Sequence, residues 1–293
     1  MASPFPFSPG TRDLIRLALE EDLSGGDIAS DAIFSADETA EGAFVAKQEL
    51  TVCGIALVEE VYRMVDPDIR CTWHVQDGDR ISKGTFGLSQ GRARSLLRAE
   101  RLALNFLRHL SGISTLTSQY VDALGGASGP KMLDTRKTTP GFRALEKYAV
   151  RCGGGHNHRF NLGAGAMIKD NHAEAAGSIT AAVEKVRKDL PWLAKIEVEV
   201  SDFESLKEAI AAGADVIMLD NMSTEDMKEA IRITAGRAAL EASGNITIER
   251  LPELSDIGLD AVSSGALTHS APDADISYLF GGTAPRASVL SSR

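Results

Sequence analysis

Met132-Leu-Asp-Thr-Arg-Lys-Thr-Thr-Pro-Gly141, Arg151-Cys-Gly-Gly-Gly-His-Asn-His-Arg159 and Ile168-Lys-Asp-Asn-His172 lie close together in the chain and share one design. Two of them begin on a short apolar run, Lys131–Asp134 or Ala166–Lys169, that ends abruptly in charge. Between Met132 and Asp170 the chain gathers Arg136, Lys137, Arg143, Arg151, Arg159 and Lys169, with His156 and His158 among them and His172 just beyond. Further runs follow at Lys195–Val200, Val216–Asp220, Ala238–Ser243 and Asp260–Ser264. Amphipathic stretches alternate with the runs, at 142–150, 179–190, 203–212, 224–234 and 248–257. Apolar runs of strand length alternating with helical patterns predict βαβ units on a parallel sheet, either a barrel or an open version of one.

The ends of the runs carry the chemistry. They read Asp134–Lys137, Lys169-Asp170, Glu197 and Glu199, Asp220-Asn221, Ser243-Gly-Asn245 and Ser263-Ser-Gly265. In parallel barrels the C-terminal strand ends converge on one mouth, where active sites lie. That mouth is predicted to be cationic at the first two runs and acidic at the third and fourth. Gly/Ser turns at the last two can offer backbone N–H groups to a phosphate. Arg is suited to planar carboxylates and phosphates, Lys to point-charge neutralisation. Glu199 and Asp220 could hold a magnesium ion or ribose hydroxyls. Two plainer readings stay open: Glu199 as a rim carboxylate, and Asp220 as the N-cap of the following helix.

Upstream of Lys131 the pattern is mixed. Residues 11–22, 55–65 and 91–109 read as helices, and 42–47 and 70–75 as strands, an α+β layer with no catalytic motif of its own. The chain has 293 residues, 31 basic against 41 acidic, a net charge of −10. A local cationic cluster in an acidic chain argues against a nucleic-acid surface, which needs a basic face. It suits a small, strongly anionic ligand. Cys53, Cys71 and Cys152 are scattered and odd in number, so no disulfide framework is expected. No window reaches the apolar length of a membrane span, and the first residues lack the layout of a signal peptide. A cytoplasmic protein is expected. A zinc site on Cys152, His156 and His158 would lack a fourth ligand at workable spacing.

Several segments together resemble the quinolinate phosphoribosyltransferase family. They are Glu100-Arg-x-Ala-Leu-Asn105, Ser111-Gly-Ile113, Asp134–Gly141, Glu146-Lys-Tyr-Ala149, Cys152–Arg159, Ile168–His172, Glu197-Val-Glu199, Asp215–Asn221, Glu241–Asn245 and Gly265–Ser270. They keep one order along most of the chain. The resemblance implies an N-terminal α/β sandwich domain over residues 1–115 and an open seven-stranded α/β barrel over residues 116–270. The segment from about 270 to 293 is free to pack back on the first domain. It also implies an enzyme that joins quinolinate to phosphoribosyl pyrophosphate with Mg2+, giving nicotinate mononucleotide, pyrophosphate and CO2. The assembly it implies is a homodimer or a higher oligomer, with Arg101 reaching the partner's active site. On composition alone Arg101 would be a helix-surface ion pair.

Position by position, the resemblance assigns Arg136, His158 and Arg159 to the two carboxylates of quinolinate. Lys137 and Lys169 add positive charge between the substrates. Glu199 and Asp220 fall to ribose and Mg2+, partly through water or substrate. Ser243, Gly244, Asn245, Ser264, Gly265 and His269 fall to the ribose-phosphate turns. The chain departs from the family pattern at Phe160–Met167, which carries extra small residues, and at Ser263-Ser264. A nicotinate-type transferase would need only one carboxylate clamp, and a simple anion-binding protein would leave Glu199, Asp220 and the Gly/Ser turns unexplained.

Overall fold

The computed structural model describes residue 5, residues 7–282 and residues 284–290. The chain forms two compact units. The first comprises the chain up to Ser118, Thr139–Gly154, and everything from Ser270 on; the second comprises Gln119–Thr138 and Gly155–His269.

The first unit opens with α1 (Pro9–Leu23), started by Ser8, whose Oγ accepts the Thr11 N–H at 3.1 Å. There follow α2 (Ile28–Ile33), β1 (Thr39–Ala46), β2 (Leu50–Thr51), α3 (Ile55–Val65), β3 (Arg70–Trp73), β4 (Arg80–Ile81) and β5 (Gly84–Arg92). Then comes α4 (Ala93–Ala123). With β12 (Ile276–Phe280), β1, β3 and β5 build an antiparallel sheet in the order β12-β1-β5-β3, while β2 and β4 pair with each other. Phe44 of β1 is fully buried, ringed by Tyr62, Trp73, Phe86 and Tyr278 at centroid distances of 5.0–6.4 Å. Strand β5 is hidden from sequence reading by its three glycines, residues the strand conformation disfavours. Gly87 is needed all the same: a Cβ there would sit 2.3 Å from the Trp73 ring.

Helix α4 has 31 residues, so it starts just after β5 and runs well past the expected end at His109. Ser111 and Gly112 look like a stop, but Ser111 Oγ donates to the Cys53 carbonyl and accepts the Cys53 N–H, and Thr115 Oγ1 donates to the Ser111 carbonyl. Hydroxyls that satisfy neighbouring backbone let a polar stretch continue as a buried helix. α5 (Arg143–Cys152) belongs to the first unit. Past Phe280, Arg286 bridges Thr85 and Val289 bridges Ile81.

The second unit contains β6 (Lys131–Leu133), β7 (Ala166–Ile168), β8 (Ile196–Val200), β9 (Val216–Asp220), β10 (Ala239–Ser243) and β11 (Ala261–Ser263). All pair in parallel, in the order β6-β11-β10-β9-β8-β7. Among the described residues six strands form this sheet, not the seven implied by the family resemblance. The remaining position is reduced to one bridge: His156 pairs in parallel with Leu133, its N–H donating to the Met132 carbonyl. Gly153–Gly155 before it and Asn157 after it give too short a β-forming run for a longer strand.

The sheet is crossed by α6 (Asp170–Ala176), α7 (Ile179–Asp189), α8 (Phe203–Ala211), α9 (Thr224–Thr234), α10 (Leu251–Leu254) and α11 (Ala266–His269). Ser178, Asp202 and Ser223 cap α7, α8 and α9 by accepting N–H groups of the first turn. The helix expected over 248–257 shrinks to Leu251–Leu254, whose Pro252 suits only a helix start. Among the described residues, no helix is long and apolar enough to cross a membrane.

Candidate active site

Every C-terminal strand end of the second unit delivers side chains to one cavity of about 210 Å³. It is lined by Thr135, Arg136, Lys137, His158, Arg159, Met167, Lys169, Glu199, Met218, Asp220, Ser243 and Ser263. Alternation explains who is present: Glu197 and Glu199, Met218 and Asp220, Glu241 and Ser243 each share a face of their strand, the second of each pair nearer the mouth.

The cationic side is held by Asp134. This carboxylate is fully buried, accepting the His158 backbone N–H at 2.9 Å and the Asn157 side-chain amide at 2.5 Å. It thereby ties the His156–Arg159 strip to the end of β6. Arg159 Nη1 donates to the Gly165 carbonyl at 2.9 Å, which ties the end of the 160–165 loop to the guanidinium. Burial first, and then the nearby Arg136, push the Arg159 guanidinium below its ordinary pKa, while Glu197 acts in the opposite direction. Lys137 is shaped by the turn after β11: Thr268 Oγ1 donates to its carbonyl at 2.8 Å, and a Cβ on Gly265 would lie 2.8 Å from its Cδ.

The acidic side is organised by an ion pair and by two interlocked turns. Lys169 Nζ forms an ion pair with Glu199, so these two neutralise one another across the rim. Asp220 does not cap a helix; Ser223 does. Its Oδ2 instead accepts the Asn221 side-chain amide at 2.8 Å. Asn221 and Asn245 both adopt left-handed backbone, at φ 55° and 49°, a conformation Asn tolerates better than most residues. Asn245 Nδ2 donates to Asn221 Oδ1 at 3.1 Å, and Asn221 N–H to the Ser243 carbonyl at 2.9 Å. The turns after β9 and β10 are therefore interlocked. Arg250 strengthens them by donating to the Met222 and Gly244 carbonyls at 2.7 and 3.4 Å.

Of the residues named from the sequence, Arg136, Lys137, His158, Arg159, Lys169, Glu199, Asp220 and Ser243 line the cavity. Gly244, Asn245, Ser264 and Gly265 stand in the surrounding turns, and His269 ends α11. Ser263 rather than Ser264 faces the cavity; Ser264 is buried, its Oγ donating to the Ile246 carbonyl at 3.5 Å. Arg101 lies in the first unit, exposed on α4. Arg143 and Arg151, neighbours of the cluster in sequence, belong to α5 and that same first unit. Asp134 and Ser263 stand at run ends legible in the sequence but carried no assigned role there, and Arg250 was not singled out.

Below the cavity is a second cluster. His158 Nε2 lies 3.0 Å from Glu197 Oε2 and 3.6 Å from Glu241 Oε2, with both carboxylates almost wholly buried. Burial, followed by repulsion from Glu197, pushes Glu241 up to about 7, partly offset by His158 and the Ser263 hydroxyl.

Comparison with known proteins agrees with this architecture. The family model for the quinolinate phosphoribosyl transferase N-terminal domain matches residues 27–111, and that for the C-terminal domain residues 113–278. The chain is 45% identical over 258 residues to a probable nicotinate-nucleotide pyrophosphorylase [carboxylating] of Bacillus subtilis, covering 88% of this chain and 89% of the relative. It is 41% identical over 297 residues to the chloroplastic nicotinate-nucleotide pyrophosphorylase [carboxylating] of Arabidopsis thaliana, covering 93% and 84%. The crystal structure of NadC from Streptococcus pyogenes superposes with a TM-score of 0.90 at 41% identity, covering 98% of this chain and 100% of that one. With two domain models matched in order and relatives this similar over nearly their whole length, the chain belongs to the quinolinate phosphoribosyltransferase family.

Proposed function

We propose that the chain transfers the phosphoribosyl group of phosphoribosyl pyrophosphate to quinolinate with loss of CO2. The products are nicotinate mononucleotide, pyrophosphate and CO2, a step of de novo NAD biosynthesis. The observation that carries this reading is the lining of the mouth: Arg136, Lys137, His158 and Arg159 on the side of β6, facing Glu199, Asp220, Ser243 and Ser263 at the ends of β8–β11. A planar dicarboxylate suits the paired guanidinium groups, and a sugar phosphate suits the hydroxyl-bearing strand ends.

In the first step the pyridine nitrogen forms a bond to the ribose anomeric carbon as the bond from that carbon to pyrophosphate breaks. Charge develops on the departing oxygens, where Lys137 and Lys169 stabilise it. A phosphate arriving at Lys169 competes with Glu199 and releases that carboxylate towards the ribose. In the second step the carbon–carboxylate bond next to the new pyridinium nitrogen breaks. The electron pair stays on the ring carbon, stabilised by the adjacent cationic nitrogen, and takes up a proton. Neither step needs a protein nucleophile.

Mg2+ fits the rim, since Glu199 and Asp220 offer only carboxylate oxygens, the donors a hard cation takes. When bound there, partly through water or substrate, it would supply positive charge for the pyrophosphate. The same proposal includes a homodimer or higher oligomer in which Arg101 enters the partner's mouth. Arg101 lines an apolar cavity of about 540 Å³ with Leu14, Leu17, Leu102, Phe106 and Phe142, and Leu17 is 55% exposed. Apolar surface of this kind is better buried against another chain than left in water. Three free thiols suit a cytoplasmic location.

The test is direct. The purified chain, incubated with phosphoribosyl pyrophosphate, Mg2+ and either quinolinate or nicotinate, should release CO2 and nicotinate mononucleotide from quinolinate only. Turnover of nicotinate with none of quinolinate would overturn the reading.

A further inference from the structure

His158 and Arg159 line the mouth and also a second, larger cavity of about 690 Å³ at the opposite ends of the strands. Glu197 and Glu241 line only the second one. The His158–Arg159 pair is therefore the floor of the candidate site, and Glu197 and Glu241 lie beneath it.

The hydrogen bonds determine which ring nitrogen carries the proton. His158 Nδ1 accepts the backbone N–H of Arg159 at 2.7 Å, so it must present a lone pair. The proton then sits on Nε2, 3.0 Å from Glu197 Oε2 and within reach of Glu241 Oε2 at 3.6 Å. This assignment decides against a metal at the cluster. The three ligand atoms do lie within 4.8 Å of one another, but a protonated Nε2 has no lone pair to give.

The carboxylates are an expensive way to fill the space. Glu197 is 6% and Glu241 2% exposed, and Oε1 of each is buried without a hydrogen-bond partner. Apolar side chains of similar size would serve folding at least as well. A feature that breaks the local rules of burial points to a role outside folding.

We propose that Glu197, backed by Glu241, is a positioning residue for the quinolinate side of the mouth. It holds His158 in the Nε2–H tautomer, and the acceptor so left on Nδ1 fixes the Arg159 backbone and with it the guanidinium in the cavity. The inference deepens the proposed function and rests on it for its kinetic consequences.

The test compares Glu197→Leu and Glu197→Gln in the full chain by kinetics, thermal melting and 15N NMR of labelled histidine. The His158 signal, one of six histidines, is identified by its loss in His158→Gln. Glu197→Leu should raise the quinolinate KM about 10-fold or more, leave the phosphoribosyl pyrophosphate KM within about 2-fold, and abolish the pure Nε2–H pattern. Glu197→Gln keeps a carbonyl acceptor for Nε2–H and gains an amide donor for Glu241, so it should keep the tautomer and hold the quinolinate KM within about 3-fold of wild type. An unchanged tautomer and quinolinate KM in Glu197→Leu would overturn the proposal. So would a lowered melting point with unchanged KM values, the mark of a structural role alone. A wild-type chain inert towards quinolinate sinks the functional reading instead, and the NMR comparison then decides the tautomer on its own.

Discussion

Lys169 and Glu199 are ion-paired across the rim of the mouth, one directly after β7 and the other near the end of the adjacent β8. A carboxylate and an ammonium that neutralise each other are poised to exchange partners when phosphate and cation arrive. Glu199→Gln and Asp220→Asn should therefore each cut turnover by about 10²-fold or more, the size seen when one electrostatic partner is lost. Quinolinate affinity should change little. Asp220→Asn should also melt like wild type, since Ser223 and not Asp220 caps α9. Near-normal turnover in both amide variants would remove these residues from the chemistry.

The dicarboxylate clamp is tested separately. Arg136→Ala or Arg159→Ala should weaken quinolinate binding by about 2–5 kcal/mol, read by calorimetry. Lysine at either position should restore only part of it, lacking the planar fork. Unchanged affinity in both alanine variants would dismiss the clamp.

Asp134 supports that clamp from behind. Asp134→Ala would strand the His158 N–H and the Asn157 amide in a buried site. A loss of about 2–4 kcal/mol in unfolding free energy is expected, seen by urea denaturation. Stability equal to wild type would mean that solvent reaches these donors and that the strip is not held as described.

Glu241 should leave a signature in the pH dependence of stability. Its folded pKa is raised from 4.5 to about 7, by burial first and Glu197 second. A raised carboxyl binds its proton more tightly when folded, so its contribution is complete below about 4.5 and lost as pH climbs to about 7. The amount at stake is on the order of 3 kcal/mol. Glu241→Gln should flatten unfolding free energy across that window relative to wild type. Parallel profiles for the two proteins would contradict the burial of this charge.

Assembly can be read from mixed subunits. Inactive Arg101→Ala and inactive Arg136→Ala, combined and shown by mass spectrometry to exchange, should regain activity, because a hybrid dimer contains one site free of both lesions. Exchanged hybrids without turnover would count against a shared site.

What the chain alone determined is the local alternation and its chemistry. Apolar runs ending in Asp134, Lys169, Glu199, Asp220 and Ser243 announce a parallel sheet with a functional rim, because side-chain period and run length are properties of consecutive residues. The cationic and acidic ends could be named for the same reason. Tertiary structure decided the rest, through pairings distant in sequence. Arg143 and Arg151 sit inside the basic stretch yet go with α5 to the first unit, since that helix buries Leu145, Tyr148 and Val150 there. Gly-rich β5 becomes a strand only because Trp73 and Ile69 come to lie over bare backbone at Gly87 and Gly91. Ser263 and not Ser264 faces the cavity because register with β6 and β10 sets which side of the strand is inward. The tautomer of His158 depends on Glu197 and Glu241, two strands remote in sequence whose meeting no local pattern encodes. Periodicity reports which face a residue takes; only long-range packing reports what that face meets.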